Sequence, residues 1–179
     1  MDELQLIKGC KEGKREFQKC LYEKYARSMY GICLRYSQSA EAAQDLLHDG
    51  FIKIFSVIDS FSEKGSFEGW IKRVFINLAL ESIRKEKAFS STEDIQNIPD
   101  IIDEHDDKSG DISEHDLLNM IQELPHGYRT VFNLYAIENL SHKEIAQMLN
   151  IAEGTSRSQY IRARQLLQEK VLEFQKRNN

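Results

Sequence analysis

The sequence predicts an all-α chain: two small helical domains joined by a flexible acidic linker. Three observations carry that prediction. Only two Pro and nine Gly occur in 179 residues, so long stretches run without a helix breaker. Apolar residues recur at spacings of three and four on both sides of one polar strip. The charge is also uneven. Residues 1–88 hold 15 basic and 13 acidic side chains, and residues 117–179 hold eight basic and six acidic. Residues 89–116 hold ten acidic side chains and a single basic one, Lys108. The formal net charge of −5 would count against a nucleic-acid partner if it were uniform. By segment it becomes two units at +2 and a strip at −9. The strip, FSSTEDIQNIPDIIDEHDDKSGDISEHD, has few large apolar residues and contains Pro99 and Gly110, so it cannot bury a core. The expected organisation is a first unit at 1–88, a linker at 89–116 and a second unit at 117–179.

In the first unit, Leu4 and Ile7 predict a short opening helix, stopped near Gly9 or Gly13. Phe17, Leu21, Tyr25, Met29, Ile32, Cys33 and Tyr36 mark the inner face of a longer helix. Ser39-Ala40-Glu41 opens the next, with Ala43, Leu46, Leu47, Phe51, Ile54, Phe55 and Ile58 inward. The chain turns between Ser60 and Ser66, with Gly65 as the breaker. Phe67, Trp70, Ile71, Val74, Leu78 and Ile83 then predict a third long helix, ending in Arg84-Lys85-Glu86-Lys87. Such helices pack as a bundle.

In the second unit, Leu117, Leu118, Ile121 and Leu124 form one stripe. Pro125 ends that helix and suits the start of the next, whose apolar face is Val131, Phe132, Leu134 and Tyr135. Ser141-His142-Lys143-Glu144 has the S-x-x-E form of a capping box. It opens a helix through Leu149 of about two turns. A turn at 150–154 leads to a last helix from about Thr155, with Tyr160, Ala163, Leu167, Val171 and Phe174 inward.

Other classes are disfavoured. Met1-Asp2-Glu3-Leu4 has no basic stretch followed by an apolar one, so no secretory signal is expected. The longest apolar run, Val74 to Leu80, is broken by Asn77 and is too short to span a bilayer. The chain is expected to be cytoplasmic, with no direct membrane insertion. Cys10, Cys20 and Cys33 have no CxxC spacing, so neither a metal nor a redox site is expected. His105 lies among Asp103, Glu104, Asp106 and Asp107, but neighbours in a polar strip have no preformed ligand geometry. No Gly-rich phosphate loop, HExxH or Ser-His-Asp grouping is visible, so neither an enzyme nor a cofactor is expected.

A two-turn helix, a tight turn and a longer helix make a helix-turn-helix. Ala146 is small where the helices must cross, and Ile145, Leu149 and Ile151 are apolar where the turn needs anchoring. Arg157, Ser158, Arg162 and Arg164 fall largely off the apolar stripe of the second helix. Arginine matches guanine bidentately in the major groove. On this pattern alone an amphipathic hairpin with a solvated basic face remains open.

Taken together, AAQDLLHDGFIKIF and FEGWIKRVFINLALESIRKEK in the first unit, and LPHGYRTVFNLYAIENLSHKEIAQMLNIAEGTSRSQYIRARQLL in the second, resemble one family. The chain is similar to the extracytoplasmic-function subfamily of sigma-70 RNA polymerase sigma factors, as region 2 followed by region 4. The resemblance implies binding to core RNA polymerase and to promoter DNA. It implies that Asp45, His48 and Asp49 dock on the β′ clamp helices; His48 stands where the family often has glutamine and Asp49 where it has glutamate. It implies that Lys64, Gly65, Ser66, Lys72, Arg73, Asn77, Arg84 and Lys85, with Lys87, serve the minus-ten element, Gly65 and Ser66 lying in the loop that embraces an extruded base. Asn77 reads either as a base reader or as a satisfied core asparagine, and Trp70 as a core anchor or a wedge. Region 4 would read the minus-thirty-five duplex through Arg157 and Ser158, with Thr155, Arg162, Arg164, Lys143 and His142 on the backbone. Ser156 replaces a usual branched apolar residue and either loosens packing or lends a hydroxyl to DNA. An edge of this unit would meet the β-flap tip. The acidic linker would follow the polymerase's positively charged nucleic-acid path. The family also implies an anti-sigma factor, often membrane-bound. A stand-alone helix-turn-helix regulator would explain residues 125–175 but not the first unit, and a purely protein-binding adaptor would leave the basic helix unused.

Overall fold

The computed structural model describes residues 2–89 and 112–178, with side chains to Lys85 in the first segment and to Arg177 in the second. It divides into two compact units, at residues 86 and 87. The described residues are helical and contain no strand. Of the expected linker, residues 90–111, with Lys108, His105 and most of its carboxylates, lie outside them.

Four helices build the first unit: α1 (Glu3–Lys11), α2 (Arg15–Tyr36), α3 (Ala40–Val57) and α4 (Phe67–Phe89). A 3-10 turn at Ile58–Ser60 follows α3. The opening helix runs through Gly9 and ends before Gly13, whose φ is +71°. Leu4 faces solvent, and Leu6 is buried in its place beside Ile7. Helix α2 buries Leu21, Tyr25, Met29, Ile32, Cys33 and Tyr36, as its spacing predicts, with Phe17 half-buried. Ser39 caps α3 by accepting the Ala42 N–H at 3.1 Å. The inner face of α3 is Ala43, Gly50, Phe51 and Ile54, while Leu46 and Leu47 are only half-buried. The core face of α4 is Phe67, Ile71, Phe75, Ile76, Ala79, Leu80 and Ile83; Val74 and Leu78 sit on its margin.

Helices α3 and α4 meet at Gly50. A Cβ placed there would fall well inside 3.0 Å of the Phe75 ring, so only glycine permits this approach. The ring of Phe75 meets Phe51 edge-on at 5.5 Å, and Phe51 meets Tyr22 of α2 at 4.7 Å. This aromatic chain joins α2, α3 and α4 in one core.

The second unit holds α5 (Glu114–Gln122), α6 (His126–Phe132), α7 (His142–Leu149) and α8 (Glu153–Asn178). A five-residue π-helical turn, Asn133–Ile137, follows α6. Helix α5 starts at Glu114 under a Ser113 cap, so residues 114–116 are helical rather than linker. Its stripe also differs from the expected one. Leu117 and Leu118 are exposed, and Met120 joins Ile121 and Leu124 in the core with Ala163 and Leu167. Tyr128, Phe132, Leu166, Val171 and Phe174 pack around that cluster. Val131 and Leu134 are buried, whereas Tyr135 reaches the surface.

One buried cation helps hold this core. Arg129 is 5% exposed, and its Nη1 donates to the Gln122 carbonyl at 2.7 Å and to Gln122 Oε1 at 2.8 Å. It thereby satisfies a carbonyl at the end of α5. Burial lowers its pKa.

Candidate nucleic-acid interface

The helix-turn-helix is built by local signals. Ser141 and Glu144 make both halves of a capping box at the start of α7: Ser141 Oγ accepts the Glu144 N–H at 3.3 Å, and Glu144 Oε2 accepts the Ser141 N–H at 2.8 Å. The Ser141 hydroxyl, donating to Glu144 Oε2 at 2.6 Å, and then the Ser141 N–H hold the Glu144 carboxyl below its usual range. Asn150 ends α7 in the left-handed region, φ 55°, a conformation asparagine tolerates better than most residues. The Ile151 N–H then bonds back to the Ala146 carbonyl at 3.0 Å. Ile145, Ala146 and Leu149 are buried beneath the turn. Helix α8 begins at Glu153, two residues before the expected start.

The candidate residues of α8 fall on two flanks of its inner stripe, buried Ser156, Ala163 and Leu167 with half-buried Tyr160. Arg157 and Arg164 share one flank, and Thr155, Ser158 and Arg162 share the other. Arg157 is exposed and ion-paired with Glu153. Ser158 is half-buried, and its hydroxyl donates to the Thr155 carbonyl at 3.0 Å. Arg162 lies 3.3 Å from Gln165 Oε1. Lys143 is exposed at the start of α7. Ser156 requires a correction: it is 0% exposed, so its hydroxyl cannot reach DNA. Its Oγ lies 2.9 Å from His142 Nδ1. Burial, and secondarily the Arg157 charge, lower the His142 pKa.

In the first unit, the loop before α4 has two left-handed residues, Glu63 at φ 61° and Gly65 at φ 98°. Lys64 between them is exposed. Ser66 caps α4, its Oγ accepting the Gly69 N–H at 3.1 Å. Trp70 stacks on Phe67 at 5.6 Å and lies 5.5 Å from Phe61; the indole is an anchor that ties the loop to the helix. Asn77 is exposed, which removes the reading as a core asparagine. Arg73, Asn77 and Arg84 are exposed along one stripe of α4. Lys72 and Lys85 are paired with Glu68 and Glu81, at 3.2 and 2.9 Å. The Lys87 side chain lies outside the described residues.

Asp45, His48 and Asp49 are all exposed on α3. Sequence reasoning missed two features beside them. Ile52, one turn further on the same face, is 56% exposed. A groove of about 440 Å³ runs between α2 and α3, lined by Tyr22, Arg27, Tyr30, Gln44, Leu47 and His48. The sequence carried no trace of it, with Leu47 placed on the inner face of α3, because a groove needs both helices in place. The thiols stay out of this surface. Burial pushes Cys10 up to about 11 and Cys33 to about 12, so both remain protonated and unreactive at neutral pH.

Among the described residues, no helix is long and apolar enough to cross a membrane, and no cluster of three or more His, Cys, Asp or Glu could hold a metal ion.

Comparison with known proteins follows these two units. Residues 21–89 match the family model of sigma-70 region 2, and residues 114–167 that of sigma-70 region 4. The ECF RNA polymerase sigma factor SigW of Bacillus subtilis is 30% identical over 176 residues, 92% of this chain and 94% of that protein. The RNA polymerase sigma-H factor of Pseudomonas aeruginosa is 28% identical over 174 residues, 91% of this chain and 90% of that one. In a solved structure, the sigma factor RpoE of Bartonella quintana, crystallised with the anti-sigma factor NepR, aligns with a TM-score of 0.51 at 22% identity, over 87% of this chain and 96% of that one; this supports the fold. With both regions present in order and a full-length relative at this identity, the chain belongs to the extracytoplasmic-function subfamily of sigma-70 RNA polymerase sigma factors.

Proposed function

We propose that this sigma factor works in the cytoplasm, where it binds core RNA polymerase and directs initiation at a specific set of promoters without enzymatic chemistry of its own. The observation that carries this is the pairing of a region 2 bundle with a region 4 helix-turn-helix in one chain. A stand-alone regulator has no use for the first unit.

Each surface then has a task. Asp45, His48, Asp49 and Ile52 offer carboxylates and one apolar contact to the arginine-bearing clamp helices of β′. Lys64, Gly65 and Ser66 frame the loop that receives an unstacked minus-ten base. Arg73 and Arg84 track the strand, with Lys72 and Lys85 released from their glutamates, and Asn77 reads a base. Solvent-exposed i,i+4 pairs of this kind are worth only about 0–1 kcal/mol, so phosphates displace them readily. DNA opening is driven by tighter binding to the open strand than to the duplex. Arg157 and Ser158 read the minus-thirty-five duplex; Lys143, Thr155, Arg162 and Arg164 hold its phosphates. The exposed Leu117 and Leu118 suit a contact with the β-flap.

The acidic linker occupies the positively charged path that nascent RNA later takes. Replacing several of its acids by Ser or Gln is expected to weaken core engagement or change abortive initiation; no change in either would refute that role. An anti-sigma factor, of the kind NepR is for the Bartonella protein, holds the chain inactive. The decisive experiment is transcription in vitro with core polymerase over a promoter library. Absence of promoter-specific initiation would defeat the proposal.

A further inference from the structure

One cluster in the second unit joins three elements around a single imidazole. His142, the first residue of α7, lies face to face with Tyr135 of the π-turn, centroids 4.3 Å apart and planes at 12°. Its other neighbour is Tyr160 of α8, at 5.8 Å and 60°. Tyr135 and Tyr160 are themselves 4.5 Å apart, and Phe132 stacks on Tyr160 at 6.0 Å. His142 Nδ1 is 2.9 Å from Ser156 Oγ. Ser156 and Tyr160 are one turn apart on α8, so the imidazole touches two successive turns of that helix.

The position of this contact is what matters. Ser156 is wholly buried and stands directly before Arg157 and Ser158. The apolar packing of Ile145, Ala146 and Leu149 beneath the turn is non-directional and tolerates small rotations of α8. A hydrogen bond with a ring held by two tyrosines does not, because its strength falls steeply with angle. Helical residues are 100° apart, so the rotation of Ser156 sets the aim of the side chains that follow it.

We propose that His142 is a positioning residue for base reading. The His142–Ser156 hydrogen bond fixes the rotation of the first turn of α8, and with it the aim of Arg157 and Ser158. It therefore contributes to discrimination among duplex sequences rather than to general DNA affinity. The inference rests on the proposal that α8 reads the minus-thirty-five duplex.

The test uses the full chain bound to core polymerase. A duplex is first selected from a random library by the wild-type holoenzyme. Binding of that duplex is then compared with that of single-base variants at several salt concentrations. His142→Phe keeps the ring stack and removes Nδ1; His142→Asn keeps a polar atom near the Nδ1 position; Ser156→Ala removes the hydroxyl. A neutral hydrogen bond of this kind corresponds to roughly a fivefold effect. His142→Phe and Ser156→Ala are each expected to reduce discrimination about fivefold, with the salt dependence unchanged. The double variant should lose no more than either single one, and His142→Asn should retain most of the discrimination. If His142→Phe does not fold, Ser156→Ala and His142→Asn carry the comparison. Full discrimination in Ser156→Ala, or losses that add independently in the double variant, would overturn the role of His142 while leaving base reading by α8 intact. Failure of the wild-type holoenzyme to select any duplex would overturn both.

Discussion

At Gly50, α3, bearing the proposed polymerase-binding face, packs directly against the Phe75 ring of α4, bearing the proposed minus-ten face. In Gly50→Ala the new methyl would overlap the Phe75 ring. That ring is 0% exposed and meets Phe51 at 5.5 Å, so it cannot swing into solvent. Overfilling a packed core costs about 1–3 kcal/mol. Replacing a helical glycine by alanine returns about 1 kcal/mol of backbone entropy and helix propensity. The overlap is severe and the ring confined, so the upper half of the packing cost applies and the net loss is about 1–2 kcal/mol. Urea unfolding followed by fluorescence is a direct assay, because the single Trp of the chain, Trp70, reports the first unit alone. With an m-value of about 1–3 kcal/mol/M, the midpoint should fall by roughly 1 M. Making room for the methyl should relieve the effect, so Gly50→Ala should cost less in a Phe75→Leu background than in the wild type. An unchanged or raised midpoint in Gly50→Ala would refute the close-approach argument.

Three further outcomes are expected. The Tyr25 hydroxyl, at 2.5 Å, and Lys24, at 3.1 Å, hold the Glu3 carboxyl below its usual pKa of 4.5, the tyrosine bond contributing most. Its stabilisation is therefore complete above that value and is lost as pH falls through the depressed one; Glu3→Gln should unfold more easily than wild type near neutrality and converge with it in acid, and a constant difference between about pH 3 and 7 would contradict this. Removing the α7 cap in Ser141→Ala should cost about 1 kcal/mol, seen as faster amide exchange in α7; unchanged protection there would count against the cap. In the holoenzyme, Arg157→Ala should cost about 1–3 kcal/mol and relax preference at one base position, whereas Lys143→Ala should weaken all duplexes alike and lower the salt slope by about 1; identical behaviour of the two variants would show that neither reads bases.

What was legible in the sequence were the features written in local chemistry. The α2 stripe follows a clean helical period, the capping box is spelled in four adjacent residues, and Gly65 and Asn150 mark turns whose φ they then adopt. What was not legible depended on partners distant in sequence. Helix α4 is apolar around much of its circumference, so two stripes fit its pattern; Gly50 on α3 selects the one containing Phe75. Leu117 and Leu118 look like core until Met120 and Ile121 are seen packed with Ala163 and Leu167 of α8. The apolar residues Val131, Phe132, Leu134 and Tyr135 cannot distinguish an α-helix from the π-turn that follows Phe132. The burial of Ser156 was not legible because its partner, His142, is fourteen residues away.

The Arg157–Glu153 pair bears on how such a protein would search a genome. In the free chain, the arginine proposed to read bases is occupied by a carboxylate one turn before it. An exposed pair of this kind is worth at most about 1 kcal/mol, less than the roughly 1–3 kcal/mol of a well-aligned bidentate guanine contact, yet comparable with a passing phosphate encounter. On arbitrary DNA the glutamate would compete with phosphates for the guanidinium on near-equal terms. At a matching step a guanine contact would displace it and lengthen the residence time. The helix would then carry its own internal competitor, shortening dwell on the wrong sequence more than on the right one.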